Sequence, residues 1–195
     1  MISKYYYFAS LFITFFAFGS KQQFLAILRT LKNDKYIHAN FKNLEEAIDI
    51  FHATPQFNLL IQKLQIFSSS QDQRNLRGLI YEIVEGLKLA KEKNVPTKFE
   101  CVLADPSSNL HRILDCGNNT HYWEMKNVYW LAVEKNTYLK DKFEKQILEE
   151  KKLAEIHGCH FQVRSNHKFT SELKKFLRKY NIDYKDNTKS FQEEA

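Results

Sequence analysis

The 195-residue chain is 44% hydrophobic, 27% charged and 14% aromatic, a composition that excludes global disorder and suits one buried core plus an extension. A formal net charge of +6 and a pI of about 9.1 favour anionic partners such as nucleic acid or a membrane surface. The spacing of Cys101, Cys116 and Cys159 fits no zinc site, and the chain has no HExxH, no Gly-rich phosphate loop and no internal repeat.

The N-terminus reads as a targeting segment. Lys4 supplies a positive start, residues 5–16 an apolar run, and Ala17-Phe18-Gly19 before Ser20 a small-x-small cleavage pattern. The run is too short for a comfortable membrane span. Residues 1–19 are therefore expected to be a signal peptide and the mature chain to be secreted or periplasmic, with no stable membrane insertion after cleavage. An uncleaved N-terminal tether is the alternative. In an oxidising compartment two of the three cysteines could pair, and the sequence does not choose which. Asn118-Asn119-Thr120 is formally a glycosylation sequon.

Residues 20–70 read as a helical extension. Phe24, Leu25, Ile27, Leu28 and Leu31 recur at helical spacing up to Asn33-Asp34. Asn43 with Glu46 resembles a capping signal for a second helix through Ala47, Ile48, Ile50 and Phe51, ending near Thr54-Pro55. A third helix is expected over 57–67. The next, over 72–93, carries one apolar stripe of Leu76, Leu79, Ile80, Ile83, Leu87 and Ala90. Glu85 points away from that stripe, while Glu82 lies on its flank, one turn beyond Gly78, where a missing side chain would let another backbone approach.

Strands follow over 99–103 and 110–115, joined by the turn Asp105-Pro106-Ser107-Ser108-Asn109. Gly117, Asn118 and Asn119 then separate two alternating runs, as a hairpin turn does. Alternation puts Tyr122, Glu124 and Lys126 on one face of the third strand, away from Trp123 and Met125. A two-residue Asn118-Asn119 turn, or a four-residue loop from Gly117 to Thr120, sets Asp115 opposite Tyr122 and hence on the Glu124 and Lys126 face. A three-residue loop would flip it away. Two carboxylates and an ammonium on one face suit a hard divalent cation, which is usually held by one or two carboxylates plus water and phosphate oxygens. The lysine could then orient or deprotonate an attacking water, or stabilise a pentavalent phosphorus. The bland reading is a solvated polar strand face.

A long helix over 138–157 presents Leu139, Phe143, Ile147, Leu153 and Ala154, with Gln146 inside the stripe, where a polar group needs a partner. Gly158 ends it. A strand over 159–164 leads to an amphipathic helix with Phe169, Leu173, Phe176, Leu177 and Tyr180, whose other side carries Lys174, Lys175, Arg178 and Lys179. A short strand over 181–184 and a polar tail, 186–195, close the chain.

From residue 72 the order helix, strand, strand, strand, helix, strand, helix carries Glu82, Asp115, Glu124-x-Lys126 and Gln146 in sequence. This resembles the PD-(D/E)XK nuclease superfamily, and most of all its restriction-endonuclease-like toxin and RecB-like branches. Gly78-x-x-x-Glu82 is similar to their Gly-x-x-x-Glu, and Trp123-Glu124-Met125-Lys126 to their aromatic-Glu-x-Lys strand. The resemblance implies an α/β fold with a restriction-endonuclease-like αβββαβ core and mixed sheet over residues 71–185. It implies Asp115 and Glu124 as metal ligands with Glu82 as an accessory ligand, Lys126 as catalytic lysine, Gln146 as a stabiliser, and Mg²⁺ or Mn²⁺ as cofactor. Asp105 is a rival for the place of Asp115. The function expected is an exported nuclease acting on nucleic acid, a toxin or effector with an immunity or host protein partner. The alternative is a secreted non-catalytic protein that keeps the fold for binding.

Overall fold

The computed structural model describes residues 21–31, 34–52, 55–69, 73–93 and 97–186. The expected signal peptide and all of the expected tail after Asp186 lie outside them. The chain divides into two compact units, Met1–Val84 and Glu85–Ala195.

The first unit is helical: α1 (21–30), α2 (Lys35–Phe51), α3 (Pro55–Ser69) and the first part of α4 (Gln73–Lys93). Its core includes Phe24, Leu28, Leu44, Ile48 and Leu64, and the Phe24 and Phe57 rings lie 5.4 Å apart. Helix α2 starts well before the expected Asn43. Asp34 Oδ1 accepts the Ile37 N–H at 3.1 Å, so an aspartate caps the helix and satisfies a donor that the first turn leaves open. Ile50, one of the apolar residues that mark this helix in the sequence, is 46% exposed, because Leu44, Ala47, Ile48 and Phe51 define the buried side. No helix among the described residues is long and apolar enough to cross a membrane.

The second unit is α/β. A five-stranded sheet runs β1 (Lys98–Ala104), β2 (His111–Gly117), β3 (His121–Lys126), β4 (His160–Ser165), β5 (Asp183–Asp186) in spatial order. The first three strands pair antiparallel and the last three parallel, so the sheet is mixed. Parallel pairing needs a crossover. Helices α5 (Trp130–Glu134) and α6 (Thr137–Ile156) provide it between β3 and β4, and α7 (Ser171–Lys179) between β4 and β5.

One face of the sheet carries the main apolar cluster, in which Phe143, Ile147, Leu153 and Ala154 of α6 meet Phe161, Val163 and Leu177. Helix α5 has no counterpart in the expected elements. It is anchored by Trp130, whose buried indole donates to Ser165 Oγ at 2.8 Å and lies 4.8 Å from the Phe143 ring. Leu139, expected to face inward, is 43% exposed, because the buried stripe of α6 starts one turn later.

On the other face, within the second unit, Glu85 and Gly86 of α4 meet the sheet, and here two expectations about that helix change. Glu85 is buried and pairs with Arg164 at 2.8 Å. The helix is covered over a wider arc than its leucine stripe suggests, with Val84 and Leu89 buried as well. The glycine that admits a close neighbour is Gly86 and not Gly78. A Cβ on Gly86 would stand 2.5 Å from the Phe99 ring, whereas one on Gly78 meets nothing within 4 Å among the described residues. Phe99 is fully buried, so its ring has little room to yield. Gly86→Val is expected to lower unfolding stability by about 1–3 kcal/mol. Denaturant unfolding should show the valine costing less in a Phe99→Ala background, because the two sites share one contact.

Candidate active site

The hairpin that carries the candidate residues is set by Asn118. Its Oδ1 accepts from Thr120 N, Thr120 Oγ1 and His121 N at 2.9–3.0 Å, and its own N–H donates to His121 O at 2.8 Å. The side chain thus closes the turn around Asn119-Thr120. Cys116 pairs with Trp123 and Gly117 with Tyr122. The register is therefore two residues along from the expected one, and its continuation sets Asp115 beside Glu124 instead of Tyr122. A slip of two preserves the face. Asp115 stays on the Glu124 and Lys126 side.

Strand β1 bends at the same level. Glu100 has φ 53°, unusual for a side-chain-bearing residue, and the β1–β2 pairing steps from Phe99–Cys116 to Cys101–Leu114 across it. Before Glu100, Phe99 lies against α4; after it, Cys101 and Leu103 join the cluster on the α6 face. At this bend Asp115 Oδ2 accepts the Met125 N–H at 2.7 Å.

Four expected site residues come together in the second unit. Glu124 is 1% exposed, and the Lys126 ammonium forms an ion pair with its Oε1. From α6, Gln146 Nε2 donates to Glu124 Oε1 at 2.9 Å and to Glu150 Oε1 at 2.7 Å. Glu82 belongs to the first unit, half-buried on α4, and takes no part in these bonds. Asp105, the rival, is occupied in its turn, accepting from Ser107 N, Ser107 Oγ and Ser108 Oγ at 2.6–2.9 Å. Those bonds hold its carboxyl far below the usual range.

Glu150 is the residue that sequence reasoning missed. It is fully buried, one turn beyond Gln146 and two turns beyond Phe143, so its place on the inward stripe was visible in the spacing. Cation ligands and catalytic carboxylates share this signature of an acid on an apolar stripe. The oxygens Glu124 Oε2 and Glu150 Oε2 are both buried without a hydrogen-bond partner.

Burial, and then the Asp115 charge, push the Glu124 carboxyl well above its usual range against the opposing pull of Lys126. Burial likewise raises Glu150 to about 7, with Lys126 and the Gln146 hydrogen bond pulling the other way. For Lys126 burial favours the neutral amine, but the Glu124, Asp115 and Glu150 charges outweigh it and hold the ammonium charged.

Among the described residues no three His, Cys, Asp or Glu side chains make a ready metal group. The donor type is nevertheless that of a hard divalent cation's ligands: Asp115 and Glu124 are carboxylates on adjacent strands, and Glu124 Oε2 is buried without a partner. On α7, Lys174 is tied to Asp186 at 2.8 Å, which leaves a narrower basic face than the sequence suggests. Known protein families give no match to the sequence, and characterised proteins give none either.

A carboxyl whose folded pKa lies above its unfolded value binds more protons in the folded state, so stability falls as pH rises between the two values. For Glu150 that window runs from about 4.5 to about 7. Denaturant unfolding should show the cation-free wild type losing on the order of 3 kcal/mol across it, and Glu150→Gln should flatten that slope.

Proposed function

We propose that the second unit is a divalent-cation-dependent phosphodiesterase acting on nucleic acid, with a PD-(D/E)XK-like site. The observation that carries this reading is the convergence of Asp115, Glu124, Lys126 and Gln146 on one sheet face, with buried carboxylate oxygens left without partners. The order of a helix, three strands, two helices and a strand around a mixed sheet is compatible with the restriction-endonuclease-like αβββαβ core that the sequence resembles. The net charge of +6 supports an anionic substrate. Export as a toxin or effector, with an immunity or host protein partner, is the corresponding biological setting.

Asp115 and Glu124 are the residues that would hold Mg²⁺ or Mn²⁺ in the second unit. A bound cation would supply positive charge against the phosphate and activate the nucleophile. The protein's own part follows from its side chains. A lysine held charged cannot accept a proton, so Lys126 acts as a donor and a fixed positive charge, stabilising the extra negative charge on the phosphoryl oxygens as attack proceeds. Asp115 aligns β2 with β3 through the Met125 N–H and so fixes the spacing of the two acidic strands. Gln146 keeps Glu124 in place.

A competing reading, a non-catalytic binding protein of the same fold, is favoured by one feature: Lys126 already neutralises Glu124 Oε1. Cation binding separates the two. A nuclease site at a hundredfold excess of cation over its Kd gains about 2.7 kcal/mol, seen as a rise in Tm that Glu124→Ala abolishes. Purified protein with plasmid DNA or total RNA should show cleavage that needs Mg²⁺ or Mn²⁺ and stops with EDTA. Lys126→Ala should lower cleavage by at least about 10²–10³-fold while the protein stays folded. A folded wild type with neither metal-dependent Tm nor cleavage would overturn the enzyme reading in favour of the binding protein.

A further inference from the structure

Gln146 has one amide nitrogen and uses it twice, for Glu124 Oε1 at 2.9 Å and for Glu150 Oε1 at 2.7 Å. A primary amide carries two hydrogens, so these two bonds take both. The carbonyl oxygen, on the other branch of the amide, must then turn away from both carboxylates. With both acids ionised, the reversed amide would set three acceptors against one another. Two carboxylates therefore settle an orientation that is ambiguous for an isolated glutamine.

Packing alone does not account for Glu150. It is fully buried on a stripe shared with Phe143, Ile147 and Leu153, where a leucine would fill the same place without a charge to desolvate. Its Oε2 has no partner, so among the described residues its carboxylate bonds to Gln146 alone. Gln146 itself is half-buried, whereas both of its acceptors are covered.

We propose that Glu150 is a positioning residue: together with Glu124 it locks Gln146 so that the glutamine offers its carbonyl oxygen as an acceptor to the water that attacks phosphorus. The identity of that donor rests on the phosphodiesterase reading; the lock itself does not. By accepting one O–H of the water, Gln146 would turn an oxygen lone pair toward phosphorus; as the new O–P bond forms and the P–O bond to the leaving sugar oxygen breaks, the water's proton passes to bulk water and the departing oxygen takes a proton from Lys126, itself recharged from solvent.

The test uses the full chain with Glu150→Leu and Glu150→Gln, both chosen to keep the helix. A glutamine at 150 still offers an oxygen to the Gln146 amide, and a leucine does not. The Gln146 side-chain NH₂ resonance, assigned by its loss in Gln146→Leu, should exchange slowly with solvent in wild type and Glu150→Gln. It should exchange at least about tenfold faster in Glu150→Leu. In cleavage assays Glu150→Leu should lose about tenfold in kcat with little change in KM, and Glu150→Gln should recover most of that loss. Unchanged amide exchange and kcat in Glu150→Leu would overturn the proposal, as would a Glu150→Gln variant as impaired as the leucine. If the wild type cleaves neither DNA nor RNA, the nuclease reading and the water-orienting role fall together, and the amide exchange still decides the lock.

Discussion

Asp115, Glu124 and Glu150 face a single ammonium, that of Lys126, in a region where Glu124 and Glu150 have almost no contact with water. The nearby arginines relieve the imbalance only in part: Arg112, paired with Glu149, pulls on Glu150 less than Lys126 does, and Arg164 is paired with Glu85. Removing two or three negative charges from water against one positive charge is costly unless further positive charge or protons make up the difference. Without a cation, protons do so, which is why Glu124 and Glu150 are both pushed upward. The rest of the unit is arranged around this deficit. Helix α6 brings a neutral donor, Gln146, over the two covered acids, and the apolar contacts of Phe143 and Ile147 on either side hold that donor in reach.

The backbone gives way where the acids meet. Glu100 takes a left-handed conformation, the β2–β3 ladder is regular only at Cys116 and Gly117, and a side chain takes over where the main-chain pairing stops. Asp115 accepts the Met125 N–H that a strand carbonyl would otherwise take. It therefore has a structural duty beside any ligand duty, and its two oxygens are not equivalent. Strain and irregular pairing of this kind cluster where a fold holds groups for use rather than for stability.

Much of this arrangement was legible from alternation alone. Glu124 and Lys126 share a face because they are two apart on a strand, and Asp115 joins them because the hairpin parity is even. What failed is what depends on neighbours the chain does not announce. The hairpin register moved by two because Asn118 caps the turn with its own side chain. Glu85 looked exposed on a helical projection, but α4 is covered on more than one side and a buried arginine waits there. Glu150 was passed over because a charge on a helix is read as solvated by default, although its place between Gln146 and Leu153 put it on the inward stripe. Gly78 drew notice as the gap in α4, yet Phe99 fills the space over Gly86. Glycine spacing reveals where a side chain is missing, not which neighbour comes to occupy the gap.

All three cysteines are free thiols in the fold, although the sequence allowed a pair. Burial pushes Cys101 up to about 11 and holds Cys116 well above its usual range, so both remain protonated near neutrality, the form that neither attacks disulfides nor binds soft metals readily. The architecture consequently draws nothing from an oxidant. The described fold holds together without a disulfide cross-link, so reducing, glutathione-rich surroundings would take nothing away from it.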